Sequence, residues 1–316
     1  MKVKLNGFGL VLLLVGGCAL TMLSCQTDNS VWEITKSETG ILVMEGADSV
    51  LYYQQAPKSL EGKFERSNYF HPLYGMKGGT LTEDFPEDHL HHRGIFWSWH
   101  QVYVGDKPLG DPWALTDFET DVARADANYT DKSCILHTEV YWKTPLWLDE
   151  NGEKKSFIKE LAKVEIFARQ ENYRVIDFEI QLHALYDSVS IGGSENETGY
   201  GGFSWRIRLP EDVKFEGPEG EVIPQGTAVE AGEWMNISGS LSGKGVDDGI
   251  VVVSHPSNPN HPQPWVLRRR RSMQNAQFPG SERVQIPLDQ PLKLKYRMIV
   301  YSGILDSEQT QQLTKF

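Results

Sequence analysis

Alternation of apolar and polar residues sustained over many positions leaves a chain few options, because a β-strand places every second side chain on the same face. The segment "AKVEIFARQENYRVIDFEIQLHAL" holds two such runs separated by Gln170-Glu171-Asn172. In the second run Ile176, Phe178, Ile180 and Leu182 share one face, and Asp177, Glu179, Gln181 and His183 share the other. A sheet with one core face and one wet face is predicted. The C-terminal "LKLKYRMIVYSG" repeats the device, setting Leu292, Leu294, Tyr296, Met298 and Val300 opposite Lys293, Lys295 and Arg297, so it reads as a half-buried strand that ends the domain. "VWEITKSETGILVMEGADSVLYYQQ" reads as a meander of three strands joined by "SETG" and "EGAD", where Gly and Asp suit positive φ or Asx turns. Helical signals are scarce. "TDFETDVARADANY" fits a short helix or another strand, and "LDSEQTQQLTKF" fits one or two helical turns. With frequent Gly and Pro punctuation and no fixed-period repeat, the prediction is all-β: a single large antiparallel β-sandwich domain over residues 31–316.

The N-terminus stands outside that argument. "MKVKLNGFGLVLLLVGGCALTMLSCQTDNS" has a basic start at Lys2 and Lys4, an apolar run from Leu10, and an abrupt polar turn after Cys25, which is the layout of an export signal. Because the run ends on a Cys preceded by Leu23 and Ser24, it resembles a bacterial lipoprotein signal. That resemblance implies a signal peptide over 1–24, acylation of Cys25, a tether over 25–30, and a periplasmic or cell-surface protein held to the membrane through its lipid only. Cys18 is a second candidate, but cutting there would leave the apolar stub Ala19 to Leu23 ahead of the tether. With Cys25 acylated, the folded part keeps one thiol, Cys134, which reads as a small apolar core residue in a strand-like run. The formal net charge of −12 argues against nonspecific nucleic-acid binding. The run Arg268 to Arg271 is the exception, and in a strand two of its arginines would face solvent while two pair with carboxylates.

Chemistry concentrates in "DHLHHRGIFWSWHQ", Asp88 to Gln101, which carries four of the nine histidines. In a strand His89 and His91 share a face and His92 points the other way. H-x-H can present two imidazoles to one metal, with a third ligand from His71, His100, Asp84, Asp88 or His255. The positions where a cupin-like site would want a Glu hold Ile95, Phe96, Trp97 and Ser98. The acid/base reading asks less of the geometry. His91 and His92 would give and take protons at a sugar, with His89 and Arg93 orienting groups, a bend at Arg93-Gly94, and no obligatory cofactor. Burying four imidazoles and a guanidinium together without use would cost several kcal/mol in desolvation. Trp97, Trp99 and Trp113 offer flat faces on which a pyranose ring can stack. "ENETGYGGFSWRIRLP" surrounds Tyr200 with Gly199, Gly201 and Gly202, letting backbone approach a ligand, and then carries Arg206. "SHPSNPNHPQPW" sets His255, Asn258, His261 and Trp265 among prolines. Trp97, Tyr200, Arg206, His255 and Asn258 are the expected substrate-binding set.

"HPLYGMKGGTLTEDFPEDHLHHRGIFWSWHQV", "GYGGFSWRIR" and "HPSNPNHPQPW" together resemble a bacterial family of unknown function that often carries the label "methane oxygenase PmoA". That label names a membrane subunit with several apolar spans, and this chain has no apolar span after residue 25. More distantly, the pattern is similar to the galactose-mutarotase-type supersandwich, which implies a concave β face where histidines and a carboxylate act on a sugar ring. His91 and His92 fall in the matching segment, while no residue aligns with the superfamily's C-terminal glutamate base. The expectation is a carbohydrate-active enzyme catalysing glycosidic cleavage, elimination or epimerisation. A noncatalytic glycan-binding lipoprotein and a metal-dependent hydrolase or oxygenase are the alternatives.

Overall fold

A computed structural model describes residues 31–243, 245 and 247–316; the signal peptide, Cys18, Cys25 and the tether lie outside the described residues. The strands expected in the opening meander, in the paired runs up to Ala184 and in the C-terminal run are present. The opening meander forms Trp32–Lys36, Gly40–Glu45 and Asp48–Gln54, paired antiparallel. These continue into an eight-stranded sheet through Tyr69–Leu73, Ile95–Ser98, Gly202–Trp205, Gln274–Gln277 and Trp265–Val266. A nine-stranded sheet runs from Glu119–Tyr129 through Ser133–Lys143, Ile158–Phe167, Tyr173–Ala184, Leu292–Ser302, Asp248–Ser254, Trp234–Gly239 and Lys214–Gly217 to Gly220–Glu221. The segment left open between helix and strand is therefore an edge strand. "LDSEQTQQLTKF" gives the helix Ser307–Leu313, capped by Asp306, whose side chain accepts from Gln309 N at 2.8 Å.

The two sheets pack face to face, as a sandwich requires. Phe70 on one sheet meets Phe178 on the other at 5.7 Å between ring centroids, Phe178 meets Phe203 at 5.1 Å, and Phe203 stacks on Tyr296 at 4.5 Å. Tyr173–Ala184 alternates as its sequence dictates, with Ile176, Phe178, Ile180 and Leu182 buried. Cys134 is buried and free. Leu292–Ser302 departs from the half-buried expectation at its end: Met298 to Ser302 are buried on both faces, because Ile299 and Tyr301 pack with Val251 and Val253 under Leu305 and Leu313. Among the described residues, no helix is long and apolar enough to cross a membrane.

The eight-stranded sheet also has two covered faces, and this positions the site. Along Ile95–Ser98, Ile95 and Trp97 belong to the inter-sheet core while Phe96 belongs to a second cluster with Tyr69, Trp113, Val266 and Met273, against which Tyr200 packs. That outer face lies under the segments that carry the histidines. A smaller sheet pairs Gln101–Val104 with Val189–Gly192 and so fixes the chain just beyond His100.

Candidate functional site on the outer face of the eight-stranded sheet

The histidine segment is not a strand. His89 N donates to Pro86 O at 3.0 Å and His92 N donates to His89 O at 2.9 Å, which makes two successive turns. Turns do not alternate side chains, so the expected split of His91 and His92 onto opposite faces gives way to clustering. The rings of His89 and His92 stack at 4.6 Å with 6° between planes, and His91 meets His92 edge-on at 4.5 Å. The expected bend follows at once. Gly94 has φ +47°, and a Cβ there would lie 2.0 Å from Phe70 O, so only glycine lets the turn feed the strand.

The predicted site residues divide into three groups. His91 is half-buried in the site, and His89 is exposed at its rim, its Nδ1 donating to Asp88 at 2.8 Å. His92 is buried behind them, its Nδ1 accepting from Arg206 Nη1 at 3.4 Å. Arg206 is itself buried, held by Glu83 at 2.7 Å and bidentately by Asp88 at 2.8 and 2.9 Å. It orients the turn through Asp88 and His92. Burial works against the Asp88 charge, yet the bonds from Arg206 and His89 outweigh it and hold the carboxyl well below its usual range.

Arg93 is a core residue. It has no exposed surface; Nε donates to Asp84, Nη1 donates to the Lys58 and Phe64 carbonyls at 3.1 and 2.9 Å, and Nη2 donates to Tyr69 OH. Its guanidinium also lies 3.5 Å from the Phe85 ring centroid. These contacts tie the histidine turn to the hairpin Lys58–Leu60 and Lys63–Arg66.

Three expectations are corrected. Trp97 faces the inter-sheet core, 6.2 Å from Phe70, because alternation gives the outer face to Phe96 instead. His255 and Asn258 serve the nine-stranded sheet: Asn258 Nδ2 donates to Lys295 O and its Oδ1 accepts from Lys295 N, both at 2.7 Å, while His255 packs edge-on against Phe316 at 4.5 Å. Gly199 and Gly202 admit the protein's own backbone rather than a ligand, since a Cβ would meet Ser281 N at 2.7 Å and Ala276 O at 3.0 Å. Arg268 departs from its expectation as well. It lies in a loop and donates to the carbonyls of Gln225, Gly226 and Leu267, each at 2.8 Å, in place of a carboxylate.

Two residues outside the expected catalytic and substrate-binding set complete the site: His100, weighed only as a third metal ligand, and Asp111. His100 Nδ1 donates to Asp111 Oδ2 at 2.7 Å, while its Nε2, shielded from solvent, has no hydrogen-bond partner. Asp111 is held in turn by its own turn, accepting from Ala114 N at 2.8 Å. The His100 ring stacks on Trp113 at 5.6 Å and meets Tyr200 edge-on at 4.9 Å, and Trp113 also lies 6.1 Å from His92. Trp113 is therefore the buried floor on which the imidazoles and Tyr200 stand.

The family model described as "Family of unknown function (DUF6807)" matches residues 41–315. The chain belongs to this family. That description carries no methane-oxygenase assignment. No curated protein matches the DUF6807 chain. Among solved structures it is similar to one described as "a putative mutarotase (YeaD) from Salmonella typhimurium", at 10% identity over 86% of this chain and 94% of that one, with a TM-score of 0.38.

The electrostatics of the site in this DUF6807 chain separate its imidazoles. Burial, with the Arg66 charge second, draws His91 down to about 4, and burial with its two neighbouring histidines draws His92 down to about 2. Both are neutral near pH 7, so each ring there has one N–H and one lone pair. The bond to Asp111 engages His100 through Nδ1, so Nε2 is the ring nitrogen left for a ligand, an imidazole oriented by a carboxylate. Among the described residues no group of three or more His, Cys, Asp or Glu side chains converges as a metal-ligand set.

Proposed function

We propose that this outer face binds carbohydrate and that His91 and His100 move protons on the bound sugar, leading to glycosidic cleavage, elimination or epimerisation. The observation that carries the reading is the His100–Asp111 pair: Nδ1 is held at 2.7 Å and Nε2 has no partner, beside Tyr200 and over Trp113. An imidazole oriented by a carboxylate can take a proton through its other ring nitrogen, and the half-buried Tyr200 ring supplies an apolar surface that a sugar ring can cover. His91, half-buried in the site, is the second imidazole and is the partner acid or base. His92 stays neutral throughout the physiological range and acts by positioning, together with His89 and Arg206.

The test pairs turnover with melting temperature on sugars drawn from a broad oligosaccharide panel. In His100→Asn the new side-chain amide can still donate to Asp111 while the Nε2 ring nitrogen is lost. Turnover is expected to drop about a hundredfold or more, with melting temperature nearly unchanged. His91→Asn is expected to behave alike. Near-normal turnover in both variants removes these residues from the chemistry. Sugar binding with no product over long incubation makes the protein a glycan-binding lipoprotein. Stoichiometric metal in the purified protein, with activity lost to chelator, moves it to the metal-dependent class. We further propose export and membrane attachment through acylated Cys25, on the sequence layout alone.

A further inference from the structure

Among the described residues four arginines are buried: Arg66, Arg93, Arg174 and Arg206. Three have a carboxylate at ion-pair distance, Arg93 on Asp84, Arg174 on Glu45, and Arg206 on Glu83 and Asp88. Arg66 has only neutral partners. Its Nη2 donates to Pro112 O at 2.9 Å and Trp113 O at 3.4 Å, its guanidinium lies 4.7 Å from the Phe96 ring centroid, and its Nε is buried with no hydrogen-bond partner. A buried cation with no carboxylate at ion-pair distance is costly to keep, and this chain closes such a pair on its other three buried arginines, whereas Asp111 reaches Arg66 only through space. Burial, with the Arg93 charge second, outweighs the opposing influence of Tyr69 and Asp111 and draws the Arg66 guanidinium down to about 9.

The position of this unmatched cation matters. The carbonyls it holds belong to the turn that presents Asp111 and Trp113, and Phe96 packs on Trp113 at 5.4 Å. Its charge is felt at His91. Arg268, bonded through its guanidinium to carbonyls alone, adds a second positive charge that is felt at Tyr200. A chain with a formal charge of −12 thus keeps two guanidinium groups free of carboxylate partners around one aromatic site.

We infer that the site takes an acidic sugar, whose anionic oxygen group, a carboxylate or a sulfate ester, is received by Arg66. The inference rests on the sugar reading above and narrows its substrate class. Guanidinium forms charge-assisted hydrogen bonds to either group, and Nε is the donor left for one.

Calorimetry on the wild-type mature protein tests this with galacturonic- and glucuronic-acid oligosaccharides, their carboxyl-reduced counterparts, and sulfated galactan oligosaccharides. An acidic sugar should bind about tenfold to a hundredfold more tightly than its neutral counterpart, and the uronate and sulfated arms tell the two anions apart. Arg66→Gln should erase that preference, with the melting temperature read alongside to report the lost bonds to the Pro112 and Trp113 carbonyls. Neutral sugars binding as tightly as acidic ones would overturn the acidic-sugar inference and leave the sugar reading standing. An acidic preference that survives Arg66→Gln overturns the assignment to Arg66. Binding of no sugar in the panel overturns both readings. The carboxyl-reduced comparison stands without any variant, so a poorly folding Arg66→Gln does not remove the test.

Discussion

At the scale of single residues the molecule holds several ionisable groups in the neutral form, and this fixes the sign of its response to acid. His71 is drawn down to about 4 by burial, His91 likewise to about 4, and His92 to about 2. Below pH 6.5 the unfolded chain protonates these histidines while the fold does not, so stability falls from 6.5 toward 4. Each fully buried histidine contributes a slope of up to about 1.4 kcal/mol per pH unit, less for half-exposed His91. Buried Glu160 works the other way, because burial raises its carboxyl despite donors from Asn68 and Trp142 at 2.8 and 2.9 Å. Its contribution is present below about pH 4.5 and is lost as pH rises through its raised folded value. His183 and His255, also drawn down by burial, and the lowered carboxyls of Asp84 and Asp88 add the same sign, so the sum rises with pH across this window. Urea unfolding at pH 4.5, 5.5 and 6.5 should show that order, and a protein more stable at 4.5 would contradict the burial assigned to these imidazoles. What the sequence revealed of the site follows from distance along the chain. His89, His91 and His92 were visible because they are adjacent, and Tyr200 because glycines surround it. Asp111 and Arg66 were not, since their partners lie 11 and 46 positions away across turns. His255 and Asn258 had the composition of a site, but Asn258 closes onto the Lys295 backbone.

At the scale of elements, alternation identified the strands that have one face in the core and one in water, such as Tyr173–Ala184. It could not orient Ile95–Ser98, where all four residues are buried and polarity no longer marks a face. Trp97 was expected on the ligand side for that reason, while Phe96 holds that face. The histidine turn escaped the strand reading because its conformation is set by Pro86, by the Arg206–Asp88 pair and by Gly94, two of which act through tertiary contact. Gly94→Ala tests that element. A Cβ 2.0 Å from Phe70 O at φ +47° combines left-handed strain with a backbone clash. A loss of roughly 3 kcal/mol is expected. Denaturant titration of the variant measures it, and a loss under about 0.5 kcal/mol, the scale of an ordinary surface change, would show that the turn does not need this bend.

At the scale of the whole molecule, the two sheets bury a shared aromatic core and leave the proposed site on the outer face of the eight-stranded sheet. There, rigid strands hold one wall and turns supply the functional groups. The proposed lipid anchor would hold this domain at a membrane surface. Cys25→Ala should release the protein from the membrane fraction of cells, and a variant that fractionates as fully with the membrane as wild type would contradict the anchor. The most direct measurement for the account as a whole is a crystal structure with the tightest-binding oligosaccharide from the panel. A sugar ring is expected against Tyr200, with an oxygen within hydrogen-bond reach of His91 or His100 Nε2. A sugar lodged instead in the groove of about 690 Å³ beside Trp234, Asn236 and Thr310, with the His100–Asp111 wall untouched, would contradict it.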